Sequence, residues 1–109
     1  MVKDNIKSNI FTPTANNLPK EIFEDIISTP NIKIERIVSY GHTSPKSGWY
    51  EQKENEWVIV LEGEAILAFE NSDDIYLQKG DYYNIPSFVK HRVKWSKSDC
   101  RTVWLAVFY

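Results

Sequence analysis

Glu56 and His91 are the residues of this sequence whose type and setting best suit chemistry. Glu56 leads into the continuous apolar run Trp57-Val-Ile-Val-Leu61. A carboxylate carried into such a segment must be paired, metal-bound or protonated, because burying it bare is costly. The plain alternative is an exposed Glu on the turn that holds Lys53 and Glu54. His91 opens His91-Arg-Val-Lys-Trp95, where alternation puts His91, Val93 and Trp95 on one face. A neutral imidazole there can bind a divalent metal or serve as general acid or base. Its plain alternative is a core histidine hydrogen-bonded to its surroundings. His42 lies in Gly41-His-Thr-Ser-Pro45, a turn-like segment read as solvent-exposed. A nucleophilic role for the lone Cys100 would need a nearby His and a thiolate-favouring site, and Ser98-Asp-Cys-Arg101 offers neither in sequence.

These side chains have to be positioned by short strands. Ile32, Ile34 and Arg36 alternate with Lys33, Glu35 and Ile37, and Trp57–Leu61 reads as a strand covered on both faces. Glu62-Gly63 breaks that run, and Ala65 to Phe69 reads as its hairpin partner. Further strands are expected at Ile75–Leu77, Tyr82–Ile85, His91–Trp95 and Thr102–Phe108, with turns at Asn71–Asp74 and Lys79–Asp81 and a corner at Pro86-Ser87. About seven or eight short strands with regular turns imply an all-β sandwich or barrel. Before them, Ile10-Phe11 could add an edge strand. Leu18-Pro19 then suits a helix start. Ile22, Phe23, Ile26 and Ile27 make one apolar stripe opposite Glu21, Glu24 and Asp25, with Pro30 as the stop. The spacing predicts one short amphipathic helix in an arm of residues 1–30, packed on a barrel of residues 31–109.

At 109 residues the chain holds one core and needs neither disulfide nor structural metal to fold. Its formal charge of −2 gives no global pull toward nucleic acid. Its apolar runs fall far short of a membrane span, and Met-Val-Lys-Asp-Asn lacks the apolar core of a signal peptide. A single cysteine makes a reducing cytoplasm the simplest compartment. Aromatic residues are 14% of the chain, more than so small a barrel can bury at its centre, so some must line a mouth or a subunit interface. The basic run Lys90, Arg92, Lys94, Lys97, Arg101 faces an acidic set, Glu51, Glu54, Glu62 and Glu64. Cross-strand pairing is the preferred reading of it; steering of an anionic ligand to Arg92 and Lys94 is the sharper one.

Two segments resemble the paired motifs of the cupin superfamily. Glu56 and Gly63 keep the seven-residue interval that ends the first motif. Gly80-Asp-Tyr-Tyr-Asn-Ile-Pro86 and Pro86-Ser-Phe-Val-Lys-His91 keep both intervals of the second. Residues 31–109 are also similar to a subgroup of small single-domain cupins, through Arg36-Ile-Val-Ser39, Ser44-Pro-Lys-Ser-Gly-Trp-Tyr50, Glu56-Trp-Val58, His91-Arg-Val93 and Trp104-Leu-Ala-Val107. The resemblance implies a jelly-roll barrel, the double-stranded β-helix, with Glu56 and His91 on neighbouring strands facing its interior.

At the metal-binding positions this sequence departs from the family. With a three-residue spacing to Glu56 the His-x-His falls on Tyr50-Glu51-Gln52, a phenol and an amide in place of two imidazoles; a four-residue spacing puts Trp49 and Glu51 there, a poorer ligand set. The metal set that remains is Gln52, Glu56 and His91, with Tyr50 or His42 as a fourth ligand. Gln52 is an oxygen donor better suited to a hard cation or a hydrogen-bonded ligand than to Zn or Fe. The expected ligand-binding residues are Tyr50, Gln52, Glu56, His91 and Trp95, with Glu56 and His91 the candidates for catalysis. The resemblance leaves several functions open. One is a small-molecule-binding cupin. Another is an enzyme dependent on one divalent metal ion, of dioxygenase, isomerase or decarboxylase type, acting on a small organic acid or sugar. A metal-free sugar-nucleotide isomerase or epimerase ranks last, for want of a basic platform for the pyrophosphate. A homodimer formed through edge strands is expected, with no nucleic-acid or membrane partner.

Overall fold

Alternation and turn residues place the strands where a barrel needs them. The structure is a computed structural model that describes residues 7–14, 20–44 and 48–109. Among the described residues the strands are β1 (Ile22–Ser28), β2 (Lys33–Ser39), β3 (Glu56–Glu62), β4 (Glu64–Phe69), β5 (Ser72–Gln78), β6 (Tyr82–Ile85), β7 (His91–Ser96) and β8 (Thr102–Phe108). They form an antiparallel five-stranded sheet in the order β1-β2-β8-β3-β6, facing a three-stranded sheet in the order β5-β4-β7. This is the double-stranded β-helix. In β3, Glu56, Val58 and Val60 point inward and are buried, while Trp57 and Ile59 are half-buried on the other face. Between the sheets lie Val58, Val60, Ala65, Leu67, Phe69, Leu77, Ile85, Trp104 and Ala106. Full burial of an aliphatic or aromatic side chain of this kind contributes about 1.5–3 kcal/mol.

The helix predicted over residues 19–30 is instead a strand. Ile22 to Ser28 pairs antiparallel with β2, from Ile22↔Val38 to Ser28↔Lys33, with a bulge between Asp25 and Ile27. That bulge consumes one residue and offsets the second apolar pair, so a strand mimics the i, i+4 spacing of a helix. Isoleucine-rich sequence favours the strand. The connecting turn also stabilises it, since the Thr29 hydroxyl accepts hydrogen bonds from the Asn31 and Ile32 amides at 3.2 and 3.0 Å. The proposed helix start at Leu18-Pro19 lies outside the described residues.

Two further expectations change. β4 is not the hairpin partner of β3: it pairs with β5 and β7 in the opposite sheet. Gly63, at φ 86°, redirects the chain from one sheet to the other. A Cβ there would sit 2.4 Å from the Thr102 hydroxyl oxygen and 2.7 Å from the Arg101 carbonyl oxygen, so no other residue fits. Ile10-Phe11 lies in a turn rather than an edge strand. Two arginines hold it against the sheet, Arg36 donating to the carbonyls of Ile10 and Thr12 and Arg101 to those of Phe11 and Thr12.

The basic C-terminal run is paired across strands as expected. Lys94 meets Asp74 at 2.6 Å, Lys97 meets Glu64 at 3.2 Å and Arg101 meets Glu62 at 3.1 Å. The Arg92 guanidinium lies 4.8 Å from the centre of the Trp49 ring.

Candidate functional site

A cavity of about 200 Å³ opens between the sheets, and Glu56 and His91 both line it. Glu56 is fixed by its place as the first inward residue of β3, paired to Ile85 of β6 on one side and Phe108 of β8 on the other. His91 is the first residue of β7, and its backbone exchanges two hydrogen bonds with Tyr50, 2.8 and 3.0 Å long. The Tyr50–Gln52 segment is thereby strapped along the cavity mouth. A third bond, from the Phe88 amide to the Gln52 carbonyl at 2.8 Å, closes the strap.

The side chains form one chain of hydrogen bonds. Gln52 Nε2 donates to Glu56 Oε1 at 2.9 Å, and His91 Nε2 lies 3.2 Å from the same oxygen. His91 Nδ1 is 2.9 Å from the Val89 carbonyl oxygen. A carbonyl only accepts, so Nδ1 carries a hydrogen. A proton must also lie between Nε2 and Oε1. The arrangement is therefore either an imidazolium facing a carboxylate or a neutral imidazole facing a carboxylic acid. Burial works against a charged His91. The Glu56 hydrogen bond, the Val89 carbonyl and the Glu56 charge together outweigh it and raise the imidazole above its ordinary value. That direction favours the imidazolium–carboxylate form. The Val89 carbonyl is presented by a tight corner in which Phe88 takes a φ of 63°, uncommon for a bulky side chain.

The structure brings Tyr50, Gln52, Glu56 and His91 together and leaves Trp95 and His42 out. Trp95 does not line the cavity. Leu67 faces Val93 but Ile66 faces Trp95, so Lys94 is an extra residue in β7. One bulged residue turns everything beyond it to the opposite face. Trp95 consequently packs near Tyr76, ring centres 6.5 Å apart, and stays partly exposed. His42 is half-buried at the end of β2, its Nδ1 accepting a hydrogen bond from the Tyr40 amide at 2.9 Å. It is absent from the cavity wall and so supplies no fourth metal ligand.

Sequence reasoning missed two carboxylates that line the same cavity, Glu21 and Glu35. Glu35 was visible in principle, as an acid on the same face of a strand as Ile37. Glu21 and its neighbour Phe23 were hidden by the helical reading of β1. Burial pushes the Glu21 carboxyl up, and the nearby His42 pulls it partly back. Phe23, Trp104 and Phe108 add aromatic surface, and no lysine or arginine lines the cavity among the described residues.

The donor chemistry bears on the metal that many cupins hold. Among the described residues no three His, Cys, Asp or Glu side chains converge. The set stays at one imidazole, one carboxylate and one amide. That is too little nitrogen for a tightly held Zn or Fe, and Glu56 and His91 already satisfy one another.

Comparison with known proteins agrees with the architecture. A family model described as a cupin domain matches residues 37–108. No curated protein matches. A crystal structure from Ralstonia eutropha JMP134, provisionally named a mannose-6-phosphate isomerase, is 36% identical with a TM-score of 0.90, covering 94% of this chain and 96% of that one. An RmlC-like cupin from Methanocaldococcus jannaschii with a double-stranded β-helix fold is 18% identical, TM-score 0.68, over 88% and 85% of the two chains. Oxalate oxidase in complex with glycolate is 15% identical, TM-score 0.71, over 97% of this chain and 60% of the other. The last two show a shared fold alone. With the family model covering most of the chain and the barrel in place, this protein belongs to the cupin family.

Proposed function

We propose that the barrel interior binds a small organic molecule and that Glu56 and His91 share a proton with it. The observation that carries this is the Gln52–Glu56–His91 chain, which is internally satisfied and yet lines an apolar cavity. A polar network at the wall of a pocket is costly to build in a core. It fits a site that must orient a ligand with few polar groups. At about 200 Å³ the cavity is smaller than the roughly 300–1,000 Å³ of drug-sized pockets, so the ligand is small. The test is a thermal-shift screen of small acids, sugars, amines and nucleotide sugars on wild type and His91→Ala. A hit stabilises the fold in proportion to the logarithm of its concentration above Kd and does not stabilise the variant. Equal stabilisation of both proteins sinks the reading.

The second reading is a metal-dependent enzyme. What favours it is the orientation of His91: with Nδ1 held on the Val89 carbonyl, Nε2 faces the cavity as a metal-binding imidazole would. Gln52, Glu56 and His91 would hold the ion, which would supply Lewis-acid chemistry. The donor set favours a weakly held hard cation over a transition metal. Elemental analysis of protein purified without chelator decides: stoichiometric Zn or Fe, lost in His91→Ala, would establish this reading against the first.

A homodimer belongs to the same proposal. Among the described residues β1 is an unpaired sheet edge that exposes Phe23, Ile26 and Ile27, and such an edge is usually covered. Sedimentation of a monomer at micromolar concentration would remove it. A reducing cytoplasm is the proposed compartment, on the strength of the lone Cys100. Among the described residues no helix is long and apolar enough to cross a membrane.

A further inference from the structure

The cavity is acidic where a phosphate-binding or acid-binding pocket would be basic. β8 runs between β2 and β3, and the pairing places Glu35, Ala106 and Val58 in one row across the inner face. The next row holds Lys33, Phe108 and Glu56. Glu35 and Glu56 thus stand one row apart on opposite sides of β8, and Trp104 and Phe108 line the cavity with them. Glu56 is compensated by His91, whereas Glu35 is only 7% exposed and its sole partner among the described residues is Lys33, a half-exposed amine at 3.2 Å that also lies 5.1 Å from the centre of the Phe108 ring, the contact an organic ammonium would take over. Directly opposite Glu35 on β1 stands Asp25, and like charges facing one another across strands repel. Glu21 lines the wall without a hydrogen-bond partner among the described residues. Negative charge over aromatic rings is the chemistry that recognises an organic ammonium group.

We propose that the ligand of this cavity is a small organic cation, its ammonium group held against Glu35 within the field of Glu21 and its apolar body lying on Phe23, Trp104 and Phe108. This rests on the reading of the barrel interior as a ligand site and goes further by fixing the class of ligand. It also sets this chain apart from a phosphosugar enzyme, because a phosphate ester would meet Glu21 and Glu35 with no lysine or arginine among the described lining residues, and His91 is already paired with Glu56.

Isosteric probes test it. n-Butylammonium, n-butanol, butyrate and a hexose phosphate are titrated at matched ionic strength, followed by calorimetry and by melting temperature. The ammonium is expected to bind on the order of tenfold more tightly than the alcohol, and butyrate and the hexose phosphate more weakly than either. Glu35→Gln, with Glu21→Gln as a second variant should the first fail to fold, is expected to bring the ammonium down to the alcohol's affinity and leave the alcohol unchanged. If the alcohol binds as well as the ammonium, or an anion binds best, the cation proposal is overturned while the ligand site stands. If no probe binds at all, both fall together.

Discussion

Glu56 and Glu35 sit on the same inner face of the same sheet, separated by β8, and are buried to nearly the same degree, 9% and 7% exposed. Their surroundings differ completely. Glu56 has a buried imidazole and a half-buried amide aimed at one of its oxygens, held there by backbone pairing of Tyr50 with His91 and of Phe88 with Gln52. Glu35 has one lysine, half-exposed, whose ammonium also lies over the Phe108 ring. The first is a completed network inside the protein; the second is a carboxylate that reaches completion with something from outside. Burial alone therefore does not tell a structural acid from a binding one, and the partners do.

The largest effect expected from this difference is on folding. Glu56→Ala removes one member of a buried pair and leaves the imidazole without its acceptor, a loss of about 3 kcal/mol. His91→Ala does the converse and strands the carboxylate. Urea denaturation of the two single variants and the double variant measures the coupling between them. Additive losses would show that the pair is not interacting, and the contrast with Glu35 would collapse.

The pH dependence comes next in size. His91 is raised above its ordinary value of 6.5, so the folded protein holds that proton more tightly than the unfolded chain. Its contribution to stability is complete below the unfolded value and is lost as pH rises through the higher folded value. Melting temperature should fall between neutral and mildly alkaline pH in wild type. In Glu56→Gln the hydrogen bond to a charged partner is gone, and that fall should flatten. A wild-type curve no steeper than the variant's would refute the imidazolium–carboxylate form.

Glu35→Gln is expected to change folding stability by no more than about 1 kcal/mol, since its ion pair leads to solvent. The same variant is expected to remove ligand selectivity. A loss of stability as large as that of Glu56→Ala would make Glu35 a structural group.

How much of this was legible in the sequence follows from where regularity holds. Gly63, Gly80, Pro86 and the alternation of β3 and β8 are local signals that pointed to Glu56 and His91 facing the interior; the two are not on neighbouring strands as expected but meet from opposite sheets, β3 and β7. Two of the errors fall on bulges. An extra residue at Ile26 made a strand look like a helix, which concealed Glu21 and Phe23, and an extra residue at Lys94 carried Trp95 from the inner face to the outer. A bulge is chosen by pairing with a distant strand, so no local pattern announces it. Glu35 was missed for another reason. Alternation marked its face, but which face of β2 looks into the cavity depends on β8 and β3 arriving beside it.

The smallest predicted effect separates the two carboxylates on charge alone. Asp25 faces Glu35 across β1 and β2 and lies exposed on the free edge of the sheet. Asp25→Asn keeps the shape of the side chain and removes a like charge, so it should stabilise the protein by about 0.2–1 kcal/mol at low ionic strength. The gain should shrink as added salt brings the screening length below the distance between the charges. No such gain is available at Glu56, whose cross-strand partners Ile85 and Phe108 are uncharged. The same substitution should weaken an ammonium probe slightly, because Asp25 adds to the field at the Glu35 end of the cavity without touching the ligand. Destabilisation by Asp25→Asn at low salt would mean that the edge carboxylate has a partner of its own. Glu35 would then have to be read as one half of a relaxed pair, no longer as an acid waiting for a cation.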